Sequence, residues 1–212
     1  MHFEILVEGK TELTALSILM PKIVGAYGEP HTWKIHKHRG VGQLPADPQL
    51  RPNARDMTLL HQLPAKLRAY AKIIDEQRVV VVLLDLDDKN SAEFLQQLES
   101  LLNYCQTPFE ARFQFAIEEL EAWYLGDVAA LQKFNPKIKS QVLEQYQQDS
   151  ICGTWEKLAE ADEPTVLNNK KRSTLVMDKK KEWAKKIPLY MEVIDNKSPS
   201  FQDFVRCLQS YI

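Results

Sequence analysis

In Val79-Val80-Val81-Val82-Leu83-Leu84-Asp85-Leu86-Asp87-Asp88, six apolar residues run without interruption into a cluster of acids. Four consecutive β-branched residues favour an extended chain. The lack of polar alternation predicts a central strand covered on both faces, as in a parallel sheet. The acids then fall where that strand ends. Strand ends of open α/β sheets are where such folds build their sites.

The flanking sequence repeats the pattern. Phe3-Glu4-Ile5-Leu6-Val7 reads as a buried strand, followed by the turn Glu8-Gly9-Lys10-Thr11-Glu12. Thr11 is the expected cap of a helix whose apolar stripe is Leu13, Leu16, Ile18, Leu19 and Ile23. Residues 32–38 suggest a short strand through Trp33 and Ile35. Gly40, Gly42, Pro45, Pro48 and Pro52 then mark a long loop over 39–56. A helix is predicted over 58–76, with Leu59, Leu63, Leu67, Tyr70, Ile73 and Ile74 on one face and Pro64 placing its true start near 63. Ser91 to Tyr104 reads as a helix, Ala111-Arg-Phe-Gln-Phe-Ala-Ile117 as an alternating strand, and Glu118 to Leu125 as another helix start. The order β-α-β-α-β-α-β-α predicts an α/β fold with a mostly parallel sheet and helices on both faces. From residue 128 the pattern is helical. The expected organisation is a sheet domain over 1–127 and a helical extension over 128–212 packed on it.

Composition sets the outer limits. The chain has 212 residues, 44% hydrophobic and 26% charged, enough for a core without disulfides. Cys105, Cys152 and Cys207 form no Cys-x-x-Cys pair, which argues for a reducing compartment and against zinc. No cleavable leader and no run long enough to span a bilayer is visible, so a cytoplasmic location is expected. The formal net charge of -2 carries no general argument for nucleic acid. Its distribution does: basic residues gather in 31–72, including Arg39, and in 170–186, including Lys170, Lys171 and Arg172. With Lys10 beside the first acidic turn, these residues are candidates to follow a phosphate backbone. The plain alternative is a set of solvated lysine-rich helix faces. His36 and His38 read as surface positions.

Three strand ends carry acids. Glu8 could hold a metal or act as general acid or base, and Gly9 allows a ligand to approach the backbone. If the segment stays extended, Asp85 and Asp87 point the same way and can share one cation, while Asp88 is left to cap the next helix. After the fourth strand, Glu118 and Glu121 share a helix face, with Glu119 about 100° from Glu118. Trp123 reads as core. Each turn alone has a bland account as a solvated strand end. Converging carboxylates repel unless a hard cation sits among them, and Mg²⁺ takes one or two carboxylates plus waters and phosphates. No Gly-x-Ser-x-Gly, P-loop or dinucleotide fingerprint is present.

The ordered set of Val7-Glu8-Gly9-Lys10-Thr11-Glu12, Asp85-Leu86-Asp87 and Glu119-Leu120-Glu121-Ala122-Trp123, with Asp127 after it, resembles the Toprim fold of topoisomerases, primases and OLD-family nucleases. The chain is most similar to a small Toprim-like bacterial family of unknown function, whose C-terminus also looks like Asn196-Lys197-Ser198-Pro199-Ser200-Phe201-Gln202-Asp203-Phe204. The resemblance implies a Toprim-like Rossmannoid sheet and a Mg²⁺- or Mn²⁺-dependent nuclease. In that reading Glu8 is the acid/base or a ligand, and Asp85, Asp87, Glu119 and Glu121 are the metal ligands. It also implies nucleic acid as partner (DNA ahead of RNA), an AAA-type ATPase partner, and a place in restriction or phage defence. Two other readings stand beside it. One is a Toprim-like binding module without turnover. The other is a phosphatase with Asp85 as nucleophile, against which the Lys89 that follows Asp88 counts. Oligomeric state is left open.

Overall fold

The computed structural model describes residues 1–73, 75–150, 153–170 and 173–212. Four strands, β1 (His2–Val7), β2 (Thr32–Lys37), β3 (Arg78–Asp85) and β4 (Ala111–Ala116), form one sheet in the order β2-β1-β3-β4. Every neighbouring pair is parallel. The connections are α1 (Lys10–Val24), α2 (Leu59–Tyr70) and α3 (Ser91–Ser100), the last extended by a 3-10 turn over Leu101–Tyr104. The chain continues with α4 (Glu121–Leu125), α5 (Val128–Phe134), α6 (Ser140–Leu143), α7 (Thr154–Asp162), α8 (Thr174–Tyr190) and α9 (Pro199–Gln209). The α/β class and the helical C-terminal part are therefore as the sequence suggests.

Strand parity explains the layers. Phe3, Ile5, Val7, Val79, Val81 and Leu83 face α1 and the C-terminal helices, packing with Leu16, Leu19, Trp123, Trp183, Phe201 and Phe204. Leu6, Val80, Val82 and Leu84 face the other way, onto Leu59, Leu63 and Leu67 of α2 and Phe94 and Leu98 of α3. The valine run is buried on both sides, which is why it shows no alternation. Residues beyond 128 share one hydrophobic cluster with the sheet, through Leu131, Trp183, Ile187 and Phe204.

The chain runs from β1 outward to β2, then crosses back to β3 on the other side of β1. The direction of winding reverses between β1 and β3. In open α/β sheets the crevice at the carboxyl ends of such a pair is the favoured ligand site.

Element starts depart from the sequence reading for local reasons. Gly9, not Thr11, flanks the first turn of α1, and the Thr11 hydroxyl donates to Glu12 Oε1 at 3.0 Å. Helix α2 begins at Leu59, before Pro64, because the loop carbonyls of Gly40 and Val41 accept the N–H groups of Leu59 and Leu60 at 2.9 and 2.8 Å. Asn90 rather than Asp88 caps α3, its Oδ1 accepting from the N–H groups of Ala92 and Glu93. Ile74, assigned to the apolar face of α2, lies outside the described residues.

The C-terminal segment is latched to α4. Asn196 Nδ2 donates to Trp123 O at 2.8 Å, and the Lys197 N–H donates to Gly126 O at 2.7 Å. Gly126 permits this approach: a Cβ there would lie 2.7 Å from Ser198 N. Trp123, predicted as core, is fully buried; its indole donates to Ser200 Oγ at 3.1 Å and its ring packs on Phe201 and Phe204. Among the described residues no helix is long and apolar enough to cross a membrane. Trp123→Ala is expected to lower the unfolding free energy by about 3–5 kcal/mol, read from urea denaturation. A loss under about 1 kcal/mol, the size of an ordinary substitution, would contradict a core shared by sheet and C-terminal helices.

Candidate metal centre at the carboxyl edge of the sheet

Glu8 leaves the end of β1 half-buried, and its Oε1 accepts the backbone N–H of Asp85 at 2.9 Å. The first two acidic turns therefore meet where β1 and β3 lie side by side. Glu12, one turn into α1, is buried and turns back over Gly9, with its Oε2 3.1 Å from where a Cβ of Gly9 would stand. That oxygen has no hydrogen-bond partner among the described residues.

Glu119 and Glu121 close the site from the β4–α4 connection, and both are buried. The ammonium of Lys180, from α8, sits 2.7 Å from Glu119 Oε2 and 3.5 Å from Glu121 Oε1. It also lies over the Trp155 ring, 5.7 Å from its centroid. Tyr124 lies beneath, almost fully buried, with a hydroxyl that finds no partner among the described residues.

The electrostatics follow from burial and crowding. Burial pushes the Glu8 carboxyl up to about 8; the Asp85 N–H opposes this, and the charges of Glu12 and Asp87 add to it. Burial and then the charges of Glu8, Glu12, Glu119 and Glu121 hold Asp85 well above the carboxylate range. Glu121 is raised by burial and by Glu119, with Lys180 pulling the other way. Burial alone would discharge Lys180, but Glu121 and Glu119 outweigh it and keep its ammonium charged above the usual lysine value.

Two predicted residues sit differently from the sequence reading. Asp87 is in the left-handed region at φ +50°, so the segment is not extended and Asp85 and Asp87 do not point the same way through strand alternation. Asp87 instead pairs with Lys89 at 3.3 Å and borders the site from the Glu8 side. Glu118 is also left-handed, at φ +59°, so the helix starts only at Glu121 and the expected shared face of Glu118 and Glu121 does not form. Non-glycine residues in that region cost about 1–3 kcal/mol each. The Glu118 carboxylate turns away from the site and accepts the N–H groups of Gly153 and Thr154, at 3.0 and 2.6 Å, at the start of α7.

Among the basic candidates, Lys10, Arg39 and Lys170 are exposed, while Lys171 and Arg172 lie outside the described residues. Lys179 is no solvated surface charge: it is held by Asp162, Glu163 and Glu182 within 3.1 Å. His36 and His38 are half-buried rather than on the surface. The His36 ring donates to Glu4 at 2.6 Å and the His38 Nδ1–H to Val7 O at 2.8 Å. Asp127, in the motif of the resemblance, is structural: it caps α5 and accepts the Glu192 N–H at 2.9 Å.

A cleft of about 260 Å³ opens over the turn from Glu8 to Glu12, with Gly40, Met177 and Lys181 on its other walls. Larger hollows lie along α3, between β4 and α9, and at the opposite edge of the sheet, but none is lined by the acids of this site. Two residues of the site were not read as such from the sequence. Glu12 carries a signal, since it follows Glu8 by four positions. Lys180 carries none, because 61 residues separate it from Glu119.

A divalent cation can be tested against this donor set. The donors are hard oxygens in excess over ammonium, and the unpartnered Glu12 Oε2 is aimed where a cation would relieve it. Among the described residues, no three His, Cys, Asp or Glu side chains are spaced as a ready-made shell. A Mg²⁺ ion that keeps several waters and takes one or two carboxylates fits this arrangement; a metal that needs an all-protein cage does not.

Two measurements probe the electrostatics. The unfolded chain releases the Glu8 proton near 4.5 and the folded chain near 8, so the native state holds more protons between those values. The Glu8 contribution to metal-free stability therefore falls as pH rises from 4.5 to 8. Glu8→Gln is expected to flatten that slope in urea titrations, and an unchanged slope would contradict the assignment. Lys180→Met removes the buried ammonium that pairs with Glu119 and Glu121. It is expected to cost about 3–5 kcal/mol, a loss partly restored by millimolar Mg²⁺.

Comparison with curated proteins and with solved structures finds no match in either set. Residues 7–209 match a family described as a domain of unknown function, DUF4276. That match spans nearly the whole chain, all three acidic turns included, and the protein belongs to the DUF4276 family.

Proposed function

We propose that this protein is a Mg²⁺- or Mn²⁺-dependent phosphodiesterase of Toprim type that cuts nucleic acid, DNA ahead of RNA. The observation that carries this reading is the meeting of Glu8 and Asp85 at the switch point between β1 and β3, with Glu12, Glu119 and Glu121 around them. Asp85 would hold the cation, with Glu8, Glu12 and Asp87 at its border. When bound, the ion polarises a phosphoryl oxygen and activates a water. Glu8, raised to about 8, is poised to give or take a proton near neutrality. Lys10, Arg39 and Lys181, at or beside the cleft, supply positive charge for flanking phosphates. An AAA-type ATPase partner, work in the cytoplasm and a role in restriction or phage defence rest on the resemblance to Toprim families.

One observation favours a second reading, a nucleic-acid-binding module without turnover. Lys180 already pairs with Glu119 and Glu121, so part of the acidic cluster is satisfied without metal.

Incubation with supercoiled plasmid and with single-stranded DNA, with Mg²⁺, Mn²⁺ or EDTA, separates the readings. Metal-dependent cleavage is expected, reduced about 10²- to 10⁴-fold in Glu8→Ala and abolished in Asp85→Ala. Cleavage that survives EDTA, or persists unchanged in both variants, would sink the nuclease. Salt-sensitive binding without cleavage would establish the binding module. Phosphate release from small phosphoesters, lost in Asp85→Asn, would identify a phosphatase.

A further inference from the structure

Glu118 occupies a junction that the proposed chemistry does not use. It is the centre of a three-residue turn closed by the Glu119 N–H on Ile117 O at 3.0 Å, with φ +59°. Turns of this hand are rare and strained. Glu has no special tolerance for the left-handed region, unlike the Asp at position 87. Something must hold it there, and its carboxylate shows what does. Both oxygens are taken by the N–H groups of Gly153 and Thr154, the first free donors of α7, where the helix dipole also favours a negative charge.

The backbone of the same residue reaches the site on two sides. Glu118 O accepts the Asp87 N–H at 3.0 Å, and the next residue is Glu119, which receives Lys180. Asp87 is itself left-handed and half-exposed, and its own turn is closed by the Lys89 N–H on Leu86 O at 3.1 Å and by the Lys89 ammonium on its carboxylate at 3.3 Å. One further bond joins the two loops, from the Leu86 N–H to Ala116 O at 2.9 Å.

We infer that Glu118 is a positioning residue: its carboxylate, anchored on the N-terminus of α7, fixes a strained turn whose carbonyl holds the Asp87 loop at the mouth of the carboxylate site. The acidic site is then set by docking of a helix that contributes no ligand to it. This inference rests on the metal-centre reading for its consequence, though the anchoring itself does not. Residues that orient metal-site groups from behind typically matter by about 10- to 100-fold in metal affinity.

Two readouts test it. The first is amide hydrogen exchange at Asp87 in the metal-free protein, followed by NMR. The second is Mn²⁺ affinity from EPR titration. Glu118→Ala is expected to speed Asp87 exchange and to weaken Mn²⁺ binding about 10-fold. Glu118→Gln, which keeps one of the two acceptors at α7, should restore part of both. Asp87→Ala should weaken Mn²⁺ similarly, and the double variant no further than either single one, because both act through the Asp87 carboxylate, one by displacing it and the other by removing it. Should Glu118→Ala fail to fold, Glu118→Gly accommodates the backbone and removes only the anchor. Unchanged Asp87 exchange in the alanine or glycine variant overturns the inference. So does faster exchange with Mn²⁺ affinity intact where Asp87→Ala lowers it, or additive losses in the double variant. If the wild-type chain binds no Mn²⁺, the metal-centre reading fails and takes the site consequence with it. The exchange result still decides the anchoring.

Discussion

The ion pair of Lys180 with Glu119 and Glu121 is the interaction on which the carboxyl edge of this sheet depends. Burial and the neighbouring carboxylates of Glu119 and Glu12 work against the charge of Glu121, and Lys180 works for it. The desolvation cost of Glu119 and Glu121 is large, and only a close, well-packed cation offsets it. Lys180 meets that requirement at 2.7 and 3.5 Å, with Trp155 shielding it from water. Because Lys180 lies on α8, the C-terminal helices complete the electrostatics of a site whose acids all come from the sheet half.

The rest of the arrangement follows from this division of labour. The sheet places Glu8 and Asp85 at the point where its winding reverses, and the bond from the Asp85 N–H to Glu8 ties the two turns together. The C-terminal helices hold the third turn in two opposite ways. Lys180 draws Glu119 and Glu121 inward, while the start of α7 draws Glu118 outward. Neighbouring acids in one short segment thus have opposite fates, set by the partner each meets. Below them, Asn196 and the Gly126 contact latch the final segment against Trp123, so the helices bearing these partners share the core of the strands.

Much of the fold was legible along the chain. The valine run announced a doubly covered strand, and parity along β1 and β3 divides the two cores as that reading requires. Helix starts were less legible. Gly40 and Val41 supply carbonyls that let α2 begin before Pro64, and Asn90 takes the capping role expected of Asp88. Both choices depend on which donor finds an acceptor in space.

Local order along the sequence determined that acids stand at successive strand ends and that the strands are parallel, because apolar runs and turn residues encode both. Tertiary structure alone decided what each acid does. The left-handed backbone of Asp87 and Glu118 breaks the extended and helical geometries from which their directions were read, and those conformations are held by bonds across the fold. Lys180 was invisible as a site residue for the same reason. A charge pair spanning 61 residues leaves no periodicity behind, and only the packing of α8 against the sheet edge brings its two halves together.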